Sequence, residues 1–234
     1  AASAAVVLAL VVGGGVATWQ ARVAERERAR ADARFNDVRK LANAVVGPLY
    51  DEISRLPGST EARRTLVREA LAYLDGLEAQ AADNIDLKAE LAEAYEKIGD
   101  VQGNPFMSNL GDLNGAKASY AKLARLRRAV AEARPGDERA RLGLAHAHAR
   151  DGDVARAEGR PDEAVGHYER AMVLVDDTPG ESARRRLAES RIRRTLGVAL
   201  SNAGRPVEAI RHLETTLAQF ARWPSELMAT EEAR

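Results

Sequence analysis

Cysteine is absent from this 234-residue sequence, which removes disulfides, thiolate metal sites and cysteine nucleophiles while fitting either side of a membrane. Aromatic residues make up 4% of the chain against a hydrophobic share of 45%. A core so poor in rings has to come from aliphatic and small side chains on closely packed helices, which points to an all-α protein. Charge of one sign is missing as well: 35 basic and 35 acidic residues cancel, and no long one-sign block leaves an electrostatic footprint for nucleic acid. Nucleic acid is therefore not an expected partner. Thirty of the basic residues are Arg and five are Lys, a bias that fits a GC-rich genome better than a phosphate-binding duty.

Chemical signatures are scarce too. Gly13-Gly14-Gly15 lies in apolar sequence with no Lys or strand before it, so it is no phosphate cradle. Asp151-Gly152-Asp153 lacks the remaining oxygen ligands of a calcium loop. Neither a serine nucleophile elbow nor a paired-carboxylate site occurs. His146 and His148, two apart on a helix, point to different faces, and His167 and His212 occupy equivalent positions of an internal repeat, as scaffold residues do. The expectation is a chain with no catalytic residue, no cofactor and no metal site, whose many Glu and Asp form a solvated helical surface. An enzymatic reading, as a hydrolase or transferase, has no motif behind it.

What the sequence does contain is repetition. Gly159-Arg160-Pro161-Asp162-Glu163-Ala164-Val165-Gly166-His167-Tyr168-Glu169 returns 45 residues later as Gly204-Arg205-Pro206-Val207-Glu208-Ala209-Ile210-Arg211-His212-Leu213-Glu214. A weaker copy, Gly111-Asp112-Leu113-Asn114-Gly115-Ala116 running to Tyr120, lies 48 residues before the first. That period is the length of a helical pair and the mark of a solenoid. Each copy has a Gly to leave one helix, a turn residue or Pro to start the next, then a small Ala and a large apolar residue one turn later. The Ala lets two helices approach, and the large residue fills the space beside them. Ala70 lies 46 residues before Ala116, so a divergent first pair is expected to align through its second helix only.

In chain order, residues 1–21 carry no charge, and the run from Ala4 to Val12 is apolar throughout, with Trp19 ahead of Arg22. At about 1.5 Å per residue this matches the roughly 30 Å of a bilayer core, with Trp19 at its interface. A transmembrane helix is expected here; the competing reading, a cleaved signal peptide, lacks a basic stretch before the apolar run. With no initiator Met, further sequence is expected upstream. Residues 22–34 alternate Ala with charge, as in a helical stalk paired along its face, and a coiled-coil dimer through it stays open. Residues 35–82 form the divergent first pair, interrupted at Gly47-Pro48. Its second helix begins near Thr60 and carries Leu66, Ala70, Leu74 and Leu77 on one stripe. Residues 83–134 form a repeat whose first helix closes at Gly99 and whose hairpin turn carries an inserted loop, 100–110. Residues 135–178 and 179–223 are two further repeats, ended by Trp223-Pro224, and 224–234 are a polar tail.

In the inserted loop, Gln102, Asn104, Phe106, Met107 and Asn109 suit a recognition tip. The alternative is a self-packed loop in which Phe106 and Leu110 cover the hairpin end. By the repeat register, the inner face of the stacked pairs includes Glu93, Glu96, Lys97, His146, Asp153, Arg156, Arg191, Arg194 and Asn202. These residues serve either as a partner-binding surface or as solvated charge.

Gly152, Ala155, Gly159, Ala164, Tyr168 and Ala171, then Leu196, Gly197, Leu200, Gly204, Ala209 and Leu213, resemble the small-and-large signature of tetratricopeptide repeats. Ala92, Tyr95, Gly111, Ala116 and Tyr120 give the same pattern once the loop is removed. The spacing of 45 to 48 residues exceeds the usual 34 or so, which implies longer helices. Asp151 and Thr216 replace residues normally apolar or small. The wider order is an apolar span, an Arg/Glu/Ala stalk, Phe35-Asn36-Asp37-Val38-Arg39-Lys40-Leu41-Ala42-Asn43, Leu56-Pro57-Gly58-Ser59-Thr60, Tyr73-Leu74-Asp75-Gly76-Leu77 and Gly99-Asp100-Val101-Gln102-Gly103-Asn104-Pro105. It is similar to the region following the kinase domain in bacterial transmembrane serine/threonine protein kinases with tetratricopeptide tails. That resemblance supplies no catalytic residue, because the Gly-rich loop and the catalytic and metal-binding Asp of a kinase have no counterpart here.

The function expected is a membrane-tethered module that binds a protein or peptide and serves a kinase domain placed before Ala1. The alternative is a structural stalk and solenoid that dimerises attached domains. Arg191 and Arg194 resemble the basic clamps that hold C-terminal carboxylates in chaperone-binding tetratricopeptide domains, although Val198 stands where such a clamp wants an Asn. For topology, the basic excess among residues 22–34 favours a cytoplasmic solenoid. A kinase domain bound to cytoplasmic ATP, followed by one crossing, instead puts the repeats on the extracytoplasmic side, and that single-pass arrangement is the expected one.

Overall fold

The computed structural model describes residues 60–81 and 84–221, which form seven helices and no strand. They are α1 (Thr60–Gln80), α2 (Ile85–Gly103), α3 (Leu113–Ala133), α4 (Glu138–Ala157), α5 (Pro161–Asp176), α6 (Ala183–Asn202) and α7 (Pro206–Phe220). Helices α2/α3, α4/α5 and α6/α7 pair as hairpins, α1, α3 and α5 each also pack on the first helix of the next pair, and α4 touches α6 directly. No helix among the described residues is long and apolar enough to cross a membrane. The proposed span, the stalk, the first helix of the divergent pair, Trp223-Pro224 and the tail lie outside the described residues.

The repeat works through its turns. Gly159 takes φ 71° and Gly204 φ 73°, a left-handed conformation that costs Gly little. At each, the helix closes by a doubled-back pair of bonds: Gly159 N–H to Arg156 O (3.1 Å) and Arg160 N–H to Ala155 O (2.9 Å), matched by Gly204 N–H to Ser201 O (3.1 Å) and Arg205 N–H to Leu200 O (2.9 Å). Pro161 and Pro206 then open α5 and α7, where their missing N–H would be unpaired in any case. Helices α2, α3, α4 and α6 start on side-chain caps. Asn84 accepts from Leu87 N–H (3.0 Å), Asp112 from Gly115 N–H (2.8 Å), Asp137 from Arg139 N–H (2.7 Å) and Ser182 from Arg185 N–H (3.0 Å).

Two apolar clusters fill the stack. One joins α1, α2 and α3 and takes in Ala147 and Val154 of α4; the other joins α4 to α7. Fully covered alanines, among them Ala92, Ala116, Ala145, Ala164, Ala171 and Ala199, let helix backbones approach closely. On α1 the first buried residue is Val67, with Leu66 only partly covered beside it.

A second recurring device uses glycine inside a helix. Tyr120 of α3 lies against Gly99 of α2, Tyr168 of α5 against Gly152 of α4, and Leu213 of α7 against Gly197 of α6. The hydroxyls of Tyr120 and Tyr168 donate to the residues that follow those glycines, Asp100 and Asp153, each at 2.6 Å. In the last pair the tyrosine and aspartate are replaced together by Leu213 and Val198. Gly99 therefore admits a ring and does not stop α2, which corrects the expected closure there. The helix runs on to Gly103, where the backbone of Asp112 and Leu113 comes too close for any side chain. The inserted loop is accordingly 104–112, not 100–110.

This packing makes opposite predictions for two helical glycines. A Cβ on Gly152 would lie 2.9 Å from the Tyr168 ring, so Gly152→Val should lower stability by about 1–3 kcal/mol. Gly76 has nothing within 4 Å of an added Cβ, and Gly76→Ala should raise stability by about 0.5–1 kcal/mol. Urea unfolding of the two variants checks both signs.

Candidate functional site

The repeated Asp brings carboxylates to the face made by the first helices of the pairs, and a single cation gathers them. Arg150 of α4 reaches Asp100 (3.0 Å) and Glu96 (3.3 Å) on α2 with one nitrogen and Asp153 on its own helix (3.3 Å) with the other. Asn104 also donates to Asp100 (2.9 Å). Burial works against the Arg150 charge, but Asp100 and Glu96, then Tyr120 and Asp153, hold it well above the usual range. Asp153, 6% exposed, has its pKa raised by burial, against the pull of Tyr168, Arg150 and Arg156. Tyr120 and Tyr168 are pushed up by burial and by the carboxylates they donate to, so both stay protonated donors.

Above this network lies an open groove of about 410 Å³. Of the residues that the sequence placed at a binding surface, Glu96, Asn104, Phe106, His146, Asp153, Arg156, Arg191 and Arg194 line it together. Glu93 lines an adjoining depression with Arg127, His146 and Arg191 and sits 3.8 Å from Arg127. Lys97 and Asn202 are exposed and border neither space.

Two loop residues need correction. Gln102 is 4% exposed and accepts from Ser119 (2.6 Å) beneath α3, so it holds the hairpin together. Asn109 donates to the carbonyls of Asn104 (2.7 Å) and Met107 (3.0 Å) and accepts from Gly111 N–H (2.7 Å), fastening the loop to itself. Asn104 touches the groove, yet it is 2% exposed and its side chain is occupied by Asp100, Met107 and Phe106 N–H. Leu110 packs on the core as the self-packed reading requires. Phe106 does not: it is half exposed, and Arg156 stacks on its ring at 3.7 Å from the centroid.

Sequence reasoning missed Arg150, because neither Lys97 nor Thr195, its counterparts in the neighbouring pairs, has the same reach. A signal existed: Gly99-Asp100 and Gly152-Asp153 put two carboxylates on the inner side and so called for a cation between them. The groove presents four guanidinium groups, on Arg150, Arg156, Arg191 and Arg194, against the carboxylates of Glu96 and Asp153. Arg150 is already occupied. Arg156, 3.9 Å from Asp153 and stacked on Phe106, joins Arg191 and Arg194 in a basic wall on α4 and α6 facing exposed Phe106 and Met107, an arrangement suited to holding an anionic group beside an apolar one.

The tetratricopeptide repeat family model matches residues 140–182, the stretch that forms most of α4, all of α5 and the turn into α6. No curated protein matches the chain. The match and the all-helical hairpin stack identify a helical-repeat region of the kind that commonly mediates protein–protein interaction.

His146, between the groove and the adjoining depression, has its pKa pushed down to about 4 by burial and then by Arg150, Arg191 and Arg127. Its folded pKa lies below the ordinary value of 6.5, so the unfolded chain takes up the proton first as pH falls. The associated stability is therefore full above pH 6.5 and is lost as pH drops towards 4. His146→Asn should show a smaller loss of stability than the parent chain between about pH 7 and about pH 5, measured by urea unfolding. His148, His167 and His212 are shifted in the same direction, so the slope is reduced and not abolished.

Proposed function

We propose that this chain is a non-catalytic protein-interaction module whose groove on α2, α4 and α6 captures an extended, acidic protein segment. The observation that carries this reading is the juxtaposition of Arg156, Arg191 and Arg194 with exposed Phe106 and Met107 along one groove. Guanidinium forks suit carboxylates, and the aromatic and thioether groups give the same segment an apolar anchor. The finer reading is a single-pass, membrane-tethered tail of a bacterial serine/threonine protein kinase, anchored by residues 1–21 with the repeats outside the cytoplasm. It rests on the uncharged apolar run before Arg22 and on the motif order from Phe35 to Pro105. A reporter fused after Arg234 that works only in the cytoplasm would contradict that topology.

One observation favours the structural alternative of a homodimer: α7 leaves Val207, Ile210 and Leu217 more than half exposed. A monomeric mass for the purified chain, together with retained peptide capture, would exclude it.

The groove is tested with an array of acidic and neutral peptides. Acidic peptides should bind more tightly, the preference should weaken as salt is raised, and Arg191→Ala combined with Arg194→Ala should reduce their affinity by at least about tenfold, or ~1.4 kcal/mol. Unchanged capture by the double variant would refute the groove assignment.

A further inference from the structure

We infer that His148, Asp151 and His167 form a zinc-binding site that staples α4 to α5. Ligand atoms from the three side chains lie within 4.8 Å of one another. Zinc with nitrogen and oxygen ligands at about 2.0–2.2 Å places them a little over 3 Å apart, so side-chain rotation alone closes the site. The two rings face each other at 6.5 Å between centroids. Nδ1 of His148 and Nδ1 of His167 are buried without a hydrogen-bond partner. Asp151 Oδ2 is 3.9 Å from His167 Nδ1, and Glu163 Oε1 is 3.8 Å from His167 Nε2, which places a further carboxylate on the other ring nitrogen as an outer partner.

The repeat shows that the scaffold does not need His148 or Asp151, whereas His167 recurs as His212 in the last pair. Asp151 stands where the neighbouring pairs bury Ile98 and Leu196, His148 where they have Tyr95 and Arg193, and His167 where the second pair has Ser119. A carboxylate has thus been set in an apolar repeat position beside two imidazoles. Burial raises its pKa while His167 lowers it. Burial, then His167, Arg170 and Arg128, hold His148 below its usual pKa, in the neutral form a metal requires. His146 and His148, taken along α4 alone, do diverge as expected, since two residues turn the helix by about 200°. The second imidazole comes from α5, across the hairpin, so the divergence of His146 and His148 along α4 does not bear on this site. This site lies apart from the groove and is independent of the peptide reading.

The test is calorimetric titration of the full chain with Zn²⁺ alone, alongside thermal unfolding. One Zn²⁺ per chain and a raised Tm are expected. His148→Asn and His167→Asn should each weaken binding by at least about tenfold, whereas His212→Asn, at the equivalent repeat position, should leave it unchanged. Should either ligand variant fail to fold, imidazole NMR of the native chain decides: Zn²⁺ should move the resonances of His148 and His167 and not those of His146 and His212. Absence of Zn²⁺ binding, losses in the ligand variants no greater than in His212→Asn, or shifts spread over all four histidines would each overturn the assignment.

Discussion

Three carboxylates from two successive hairpins would repel one another across the inner face if Arg150 did not lie among them. Asp100 and Glu96 come from α2 and Asp153 from α4, and the guanidinium answers all three within 3.3 Å. Pairs buried to this degree contribute through geometry more than through Coulomb attraction alone, since both charges have given up water. Here the geometry is fixed from behind. Tyr120 and Tyr168 donate to the two aspartates, and their rings are seated against Gly99 and Gly152. Side-chain size at a glycine, hydroxyl position and carboxylate position are therefore linked, and the groove inherits its outline from that linkage.

The repeat is uneven in a way that assigns work to each pair. The two pairs that keep glycine, aspartate and tyrosine together are the ones whose aspartates meet Arg150. The last pair substitutes Val198 and Leu213, loses the polar link, and contributes Arg191 and Arg194 to the groove wall. Its outer helix exposes Val207, Ile210 and Leu217. The third pair alone carries the His148, Asp151 and His167 cluster on a different side of α4 from the groove.

Features that depend on neighbouring residues were readable from the chain. Gly159-Arg160-Pro161 and Gly204-Arg205-Pro206 announce their turns because the left-handed glycine and the opening proline are local requirements. Register then carried the inner-face positions, since the 3.6-residue period fixes which residues share a side, and His146, Asp153, Arg156, Arg191 and Arg194 of that face line one groove. Features that depend on a distant partner were not readable. Gly99 looks like a helix stop until Tyr120 is seen against it; Gln102 and Asn109 look like a polar tip until Ser119 and the loop carbonyls claim them. Arg150 shows its role only when residues fifty positions earlier in the chain are brought beside it.

Arg150 and Asp100 couple successive hairpins, and a double-mutant cycle measures that coupling directly. Unfolding free energies are needed for the parent chain, Arg150→Met, Asp100→Asn and the combined variant. The combined variant should be less destabilised than the sum of the single changes by about 1–3 kcal/mol. Additivity within roughly 0.5 kcal/mol would contradict it.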